Sequence, residues 1–468
     1  MSIRTCTAIL RRSALLAIAV AAAVFPARGA AQEADAPAIP AETRQAADRL
    51  IDAALADSAA WHRLAELVDR FGHRFSGSES LERAIDWILA GMRSDGLENV
   101  RGEPVLVPRW VRGRESATLL EPREADLPML GLGGSTGTPP GGITAEVLVV
   151  SSFDELQRRA GEARGRIVLF DVPFTGYGET VRYRTSGAVA AARAGAVASL
   201  IRSVGPFSMK TPHTGAMRYE DGVPRIPHAA ITVEDAMMLH RLQDRGERVV
   251  VRLAMDARTE PDVESRNVVA ELRGRERPEE VVVLGGHIDS WDVGQGAMDD
   301  AGGSVIAWEA VRLMKDLGLR PRRTVRVVLW TNEENGLRGG TAYRDRHRDA
   351  LDHHVLAIES DAGVFDPVGF GFTGSDRAFE IVRQVAEILH RIGAGEITRG
   401  GGGADIGPIM QLGVPGMGLR VDGDRYFWYH HTDADTLDKL DPREVALCTA
   451  AMAVMAYVIA DLPEALPR

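Results

Sequence analysis

The chain has 468 residues, of which 45% are hydrophobic and 26% are charged, and this is typical of a globular protein with about two domains. Its formal net charge is −11 and its basic residues form no dense patch, so we expect no nucleic-acid partner. The cysteine-based zinc patterns are absent, and Cys448 is predicted to be a packed thiol. A metal site in this chain must therefore use histidine and carboxylate ligands.

The first 31 residues have the features of an export signal. Three arginines precede an apolar stretch at 14–25, and small residues follow up to Ala31. The stretch is short for a helix that spans a bilayer, which disfavours the alternative of a membrane anchor. We predict a signal peptide at 1–31 and a mature protein that is secreted or periplasmic and not attached to a membrane.

Residues 58–97 show the helical spacing of apolar side chains, after a stretch at 35–59 that we predict to be a polar linker running into a helix. Farther along, short apolar strands alternate with alanine-rich helices, in a block without a catalytic cluster of histidine and acidic residues. We therefore predict a first domain built from residues 32–115 and 259–468. A second α/β domain at 116–258 is predicted to be inserted into it.

The remainder of the chain also alternates strands with helices. The predicted strands are 267–272, 281–284, 324–330 and 355–358, and the predicted helices are 303–317, 337–347, 376–392 and 442–459. This alternation predicts an α/β fold with a mixed, largely parallel sheet flanked by helices. In such sheets the functional site lies beyond the carboxyl ends of the strands, so the residues just after each strand are the candidates.

Histidine and acidic residues follow these predicted strands. They are His287, Asp289 and Asp299-Asp300 after the second strand, Glu333-Glu334 after the third, Asp361 after the fourth, and His430-His431 after a later apolar stretch at 415–421. Zinc binds histidine nitrogen and carboxylate oxygen, and a catalytic zinc keeps one position open for water. Two histidines and three carboxylates can hold two zinc ions if one carboxylate bridges them. The residues alone leave the choice between the last two histidines open.

The adjacent Glu333 and Glu334 are assigned different tasks. On an extended chain neighbouring side chains point in opposite directions, so one can bind metal while the other stays free. We assign Glu334 as a ligand and Glu333 as the general base, which takes a proton from a metal-bound water and later gives it to the leaving amine. The carboxylate of Asp289 is predicted to accept the second ring N–H of His287 and so to fix the orientation of that imidazole.

Taken one at a time, these residues have simpler explanations. Asp299-Asp300 alone is more typical of a helix N-cap, and it is the company of His287 and the two glutamates that favours metal binding. The other histidines are predicted to be structural: His353 and His354 at the surface, and His213 and His228 buried or at the surface, with the alternative that residues 210–213 approach the site.

Five motifs together resemble those of the co-catalytic dizinc exopeptidases. They are GGHIDSWDVGQGAMDDAGG at 285–303, WTNEENGLRGG at 330–340, ESDAGVF at 359–365, GGGADIGP at 401–408 and YHHTDAD at 429–435. The resemblance covers most of the chain after the signal, and it implies a zinc-exopeptidase fold in which residues 116–258 are a protease-associated insert. It also implies a homodimer and the cleavage of small peptides, dipeptides with free termini in particular.

The same resemblance assigns the site residues. It implies that one Zn²⁺ is bound by His287 and Asp361, that the second is bound by Glu334 and His431, and that both are bridged by Asp299. It favours Glu333 as general base and Asp289 as the residue that orients a ligand. It selects His431 over His430 because the family's ligand histidine directly precedes a hydroxyl residue, which here is Thr432.

The sequence thus predicts a secreted or periplasmic exopeptidase with two zinc ions, which uses a metal-bound hydroxide and a glutamate base on dipeptides or short peptides. Two alternatives stay open, a catalytically silent peptide-binding protein on the same scaffold and an aminopeptidase that acts on longer peptides. An inactive relative would be expected to have lost a ligand or the base, and all seven site positions are occupied by suitable residues.

Overall fold

The computed structural model describes residues 39–468, so the predicted signal peptide at 1–31 lies outside the described residues. The described strands form two eight-stranded sheets. The strands are β1 (Glu98–Val111), β2 (Glu115–Glu121), β3 (Ala125–Leu127), β4 (Met129–Gly131), β5 (Ile143–Val150), β6 (Ile167–Phe170), β7 (Ala198–Arg202), β8 (His228–Ile231), β9 (Val250–Met255), β10 (Arg258–Leu272), β11 (Arg277–His287), β12 (Arg323–Trp330), β13 (His354–Glu359), β14 (Pro367–Thr373), β15 (Glu396–Arg399) and β16 (Gly416–Val421). The α-helices are α1 (Ala41–Ala56), α2 (Ala59–Phe71), α3 (Glu79–Ser94), α4 (Phe153–Arg158), α5 (Ala160–Ala163), α6 (Tyr177–Arg193), α7 (Val233–Asp244), α8 (Gly302–Asp316), α9 (Arg338–Arg346), α10 (Asp376–Leu389), α11 (Gly407–Met410), α12 (Tyr426–Tyr429) and α13 (Pro442–Asp461).

The first sheet has the strand order β1-β10-β12-β11-β13-β16-β14-β15. β11 pairs in parallel with both β12 and β13, and β13 pairs in parallel with β16. β10 and β14 run antiparallel to their neighbours β12 and β16. The predicted α/β fold with a mixed sheet is confirmed. Its four adjacent parallel strands have their carboxyl ends at the same edge.

The middle strands of the first sheet are buried because helices lie against them. Val281 and Val283 of β11 belong to an apolar cluster with Tyr343 of α9 and Ile409 of α11, while α8 and α13 also contact β11 and β12. Near-continuous apolar runs are the expected composition of parallel strands covered in this way. In residues 39–468, α13 is the one helix long and apolar enough to cross a membrane, and it is wholly buried in the protein core.

The second sheet has the order β3-β2-β9-β5-β6-β7-β8-β4, and we call the part of the chain that forms it, residues 115–255, the second-sheet unit. Its strands β5, β6, β7 and β8 pair in parallel, and α6 lies in the connection between β6 and β7. An antiparallel ribbon joins the two sheets, since the end of β1 pairs with the start of β10 as far as Val111 opposite Arg258. The assignment of this unit as an inserted protease-associated domain stays a prediction.

Two expectations from the sequence differ from the structure. The stretch at 35–59 is already helical from Ala41, because the alanines, Leu50 and Ile51 of α1 pack against α13. His354 was expected at the surface beside His353, but it is buried, and its Nε2 lies 2.9 Å from the hydroxyl oxygen of Tyr343. A hydrogen-bonding partner eleven residues away can satisfy a buried imidazole, and residue spacing does not reveal such a partner.

Candidate metal centre

The carboxyl edge of the four parallel strands brings together the residues that the sequence singled out. His287 is the last residue of β11, Glu333 and Glu334 lie in a turn just after β12, and Asp361 lies two residues after β13. Asp299 precedes α8, and His431 follows the short helix α12. Parallel strands end at one edge, so segments far apart in sequence meet there.

The ligand atoms of five of these residues form two groups that share Asp299. His287, Asp299 and Asp361 make up the first group, and Asp299, Glu334 and His431 make up the second. In the first, Nε2 of His287 lies 3.1 Å from Oδ1 of Asp299 and 3.3 Å from Oδ1 of Asp361. In the second, Nε2 of His431 lies 3.3 Å from Oδ2 of Asp299 and 3.1 Å from Oε2 of Glu334. Asp299 thus offers one carboxylate oxygen to each group.

These residues fit a pair of divalent cations. Each group combines one imidazole nitrogen with carboxylate oxygens, which is the donor set of a catalytic zinc with room for further ligands. Nε2 of His287 and Oε1 of Glu334 are buried and have no hydrogen-bond partner among the described residues. Buried polar atoms normally have a partner, so two orphaned donor atoms that face the same centre indicate a ligand.

The charges at this edge also require a cation. Burial raises the pKa of Glu334 and of Asp361 above their usual ranges, and neighbouring carboxylates such as Asp299 raise them further. Burial also opposes ionisation of Asp299, but hydrogen bonds from His287 and His431 outweigh it and hold the pKa of Asp299 well below its usual range. Several buried carboxylates repel one another strongly unless positive charge lies between them.

Asp289 holds the backbone of the turn that carries the two glutamates. Its Oδ1 accepts a hydrogen bond from the Glu333 N–H (3.1 Å), and its Oδ2 accepts from the Glu334 N–H (3.4 Å) and from the hydroxyl of Ser76 (3.1 Å). Nδ1 of His287 lies 2.9 Å from the backbone oxygen of Asp289, whereas its distance to Oδ1 is 3.7 Å. The ring N–H is therefore held by the carbonyl of Asp289 and not, as expected, by its carboxylate.

Glu333 stands apart from both ligand groups. The two glutamates lie in a turn and not on an extended chain as the sequence argument assumed, yet their side chains still separate, because only Glu334 joins a ligand group. Burial raises the pKa of Glu333 well above its usual value, and the nearby carboxylate of Asp361 raises it further. A carboxyl group with a raised pKa beside the centre is suited to accept and return a proton.

Both adjacent histidines reach the shared aspartate. The rings of His430 and His431 are stacked with their centroids 3.6 Å apart, and Nε2 of His430 lies 3.5 Å from Oδ2 of Asp299. Only His431 also approaches Glu334. The geometry therefore places His431 in the second ligand group and leaves His430 beside it.

Residues of the second-sheet unit contribute to the surroundings of the centre. His213, His430 and His431 form a third cluster of close nitrogen atoms. Nη1 of the buried Arg184 lies 3.1 Å from Nε2 of His213 and 3.4 Å from Nδ1 of His431. Because a guanidinium cation already occupies this space, the cluster does not provide a third metal site. The sequence carried no signal for Arg184, and for His213 it offered only the alternative that residues 210–213 approach the site.

Two further buried residues were missed, and they brace the segment between His287 and Asp299. The guanidinium of Arg74 donates hydrogen bonds of 2.7–2.9 Å to the backbone oxygens of residues 288, 295 and 296, and also to that of Gly72. The carboxylate of Asp435 accepts from the N–H groups of residues 297, 298 and 299. A cation on the carbonyls and an anion on the amides therefore fix the backbone that leads to Asp299.

Comparison with known proteins gives a consistent result. The model of a protein family described as "Peptidase family M28" matches residues 267–456. The chain is 53% identical over 87% of its length to carboxypeptidase Q of Mus musculus, and 52% identical over 88% of its length to carboxypeptidase Q of Homo sapiens, with the same shares of those proteins covered. Its fold is similar to the crystal structure of a peptidase M28 precursor from Shewanella amazonensis, with 37% identity, a TM-score of 0.88 and coverage of 91% of this chain and 98% of that one. A zinc aminopeptidase from Bacillus subtilis, 19% identical, shares the fold with a TM-score of 0.66 over 87% of this chain and 98% of its own.

Proposed function

Because the chain belongs to peptidase family M28 and is a metallo-exopeptidase homologous to carboxypeptidase Q, we propose that it hydrolyses dipeptides or short peptides with free termini at a centre of two zinc ions. One observation carries this proposal: the two carboxylate oxygens of Asp299 lie in two different ligand groups. A single carboxylate in such a position can bridge two cations.

The residues that would hold the ions are His287 and Asp361 for one, Glu334 and His431 for the other, and Asp299 for both. When bound, two zinc ions lower the pKa of a water molecule and stabilise negative charge on the peptide carbonyl oxygen. The orphaned donor atoms of His287 and Glu334 support their assignment as ligands.

In the proposed reaction Glu333 moves the proton. Its carboxylate takes a proton from water as the water oxygen forms a bond to the peptide carbonyl carbon. The C–N bond then breaks, and the protonated Glu333 gives the proton to the departing nitrogen, which leaves as an amine. The raised pKa of Glu333, caused first by burial, suits a group that must hold this proton between the two steps. Asp289 positions Glu333 through the hydrogen bond from its backbone N–H.

The location and assembly of the protein are also proposed. The apolar segment with its small residues at 1–31 supports export, followed by life outside the cytoplasm. The resemblance to the dizinc exopeptidases supports a homodimer. Neither proposal enters the chemistry above, which uses residues of one chain.

The direct test is a substrate panel with the purified mature chain. We expect zinc-dependent cleavage of unblocked dipeptides and much slower cleavage of the same peptides with an acetylated amine or an amidated carboxyl group. Faster cleavage of long peptides from the amino end would favour the aminopeptidase alternative. No cleavage, combined with a thermal stability that a chelator leaves unchanged, would favour a silent binding protein.

A further inference from the structure

Residues 213–216 of the second-sheet unit, which we call the support loop, contact the metal-ligand candidate His431 through two reciprocal hydrogen bonds. The backbone N–H of Thr214 donates to the backbone oxygen of His431 at 2.9 Å. In return, Nδ1 of the His431 ring lies 3.3 Å from the backbone oxygen of Thr214. A ring nitrogen that faces a carbonyl oxygen must carry the hydrogen. The other ring nitrogen, Nε2, is then the unprotonated one, and it faces Asp299 and Glu334.

The backbone of His431 also needs outside support. Its φ is +58°, in the left-handed region that is unfavourable for residues other than glycine. Such a conformation persists only where the surroundings hold it in place. The hydrogen bond from the Thr214 N–H to the His431 carbonyl is a contact of that kind, and it comes from a different sheet of the protein.

Arg184 of α6 fixes the support loop in turn. The side chain is buried, its Nε donates to the oxygen of Ala216 at 3.3 Å, and its Nη1 lies 3.1 Å from Nε2 of His213 and 3.4 Å from the oxygen of Thr214. Among the ion pairs of residues 39–468, Arg184 is paired with no carboxylate, so the loop carbonyls and the imidazole are its acceptors.

Gly215 makes this arrangement possible. Its φ is +137°, and a Cβ atom at this position would lie 2.2 Å from Nη1 of Arg184. Any side chain here would therefore displace the guanidinium from the loop backbone. The loop is also attached to the rest of the second-sheet unit, since the His213 N–H donates to the hydroxyl of Ser203 at 3.0 Å.

We propose that the second-sheet unit is an integral part of the metal centre, in which Arg184 and the support loop hold the His431 ring in the orientation and tautomer needed for metal binding. Arg184 is a positioning residue here, because it acts on the ion through Thr214 and His431. The proposal rests on the proposed two-zinc function. It gives the second-sheet unit a specific task at the centre.

The test measures zinc affinity, which a role in substrate binding would not change. The full mature chain is loaded with zinc and titrated with a chelator, for the wild type and for Arg184→Gln and Gly215→Ala. Arg193→Gln is the matched control, since Arg193 lies on the same helix with an exposed side chain paired to Glu220. We expect the wild type and the control to hold two ions. In the two variants one ion should be lost at about 10–100-fold lower chelator concentration while the other is retained.

A double-mutant cycle assigns the affected ion. His431→Asn removes the ring that the loop supports, so adding Arg184→Gln to His431→Asn should cause no further loss of zinc affinity. Two ions with wild-type affinity in both single variants would overturn the proposal and leave the proposed function intact. Loss of both ions together, with a lower melting temperature, would also overturn it, because it would show a general loss of structure. A wild type that binds fewer than two ions would overturn the proposed function as well.

Discussion

Asp299 connects the two imidazoles of the centre, since its Oδ1 lies 3.1 Å from Nε2 of His287 and its Oδ2 lies 3.3 Å from Nε2 of His431. Asp299→Asn keeps the shape of this side chain but removes its charge and one of its two acceptor oxygens. We expect zinc content to fall from two ions per chain to one or fewer, and kcat/KM to fall at least about 100-fold. Elemental analysis after gel filtration measures the first, and initial rates on a dipeptide measure the second.

The matched control for this change is Asp433→Asn. Asp433 is exposed in the loop after His431, so its loss should change neither zinc content nor rate. An Asp299→Asn protein that retained two tightly held ions would contradict the bridging role.

The two adjacent glutamates should separate in their effects. Glu333→Gln removes the proton acceptor and leaves both ligand groups intact, so we expect kcat to fall by about 10²–10⁴-fold with two ions still bound. Glu334→Gln alters the second ligand group, so we expect zinc content to fall toward one ion per chain. Turnover near the wild-type value in the Glu333→Gln protein would exclude Glu333 as the base.

The edge of the sheet was predictable because the signal for it is local. The run from Val281 to Leu284 is apolar enough to indicate a buried strand, and the chemistry of a parallel sheet places His287 at its end. The same reasoning placed Glu334 and Asp361 beyond their strands. What this reasoning could not provide was the partner of the His287 ring, since backbone and side chain of Asp289 are equally close in sequence.

The supporting residues were not predictable, because nothing near them in sequence relates them to the centre. Arg184 and His213 lie on a different sheet from His431 and reach it only through the fold. Arg74 precedes Asp299 by more than 200 residues and acts on backbone oxygens, which have no sequence signature. An alignment of residue types to chemistry finds ligands, whereas the residues that orient ligands emerge only from three-dimensional contacts.

The stacked histidines give a prediction that distinguishes a ligand from its neighbour. His431→Ala removes a nitrogen 3.1 Å from Oε2 of Glu334, so we expect one ion to be lost and activity to fall with it. His430→Ala removes a ring that lies near Asp299 but in neither of the two ligand groups that share Asp299, so we expect two ions to remain. Zinc content of the two proteins, measured side by side, checks this. Loss of an ion from the His430→Ala protein alone would reverse the assignment.

His228 should make the protein less stable in acid. This histidine is fully buried in the second-sheet unit, and burial lowers its pKa from 6.5 to about 4, although backbone hydrogen bonds at Ser199 and Arg184 oppose the shift. The unfolded chain therefore binds a proton between about pH 6.5 and pH 4 that the folded chain does not bind. The stability from the neutral ring is fully present above pH 6.5 and is lost as the pH falls toward 4.

The size of this effect follows from the two pKa values. Between pH 7 and pH 5, His228 alone should lower the free energy of unfolding by about 2 kcal/mol. The measurement is urea unfolding of the wild type and of His228→Asn at both pH values. The variant is expected to be less stable at pH 7, because it loses buried contacts, yet to lose about 2 kcal/mol less than the wild type on acidification. Other groups that titrate in this range, including His354 and the acids of the centre, affect both proteins alike and cancel in the difference. Equal acid sensitivity of the two proteins would show that His228 does not stay neutral in the folded chain.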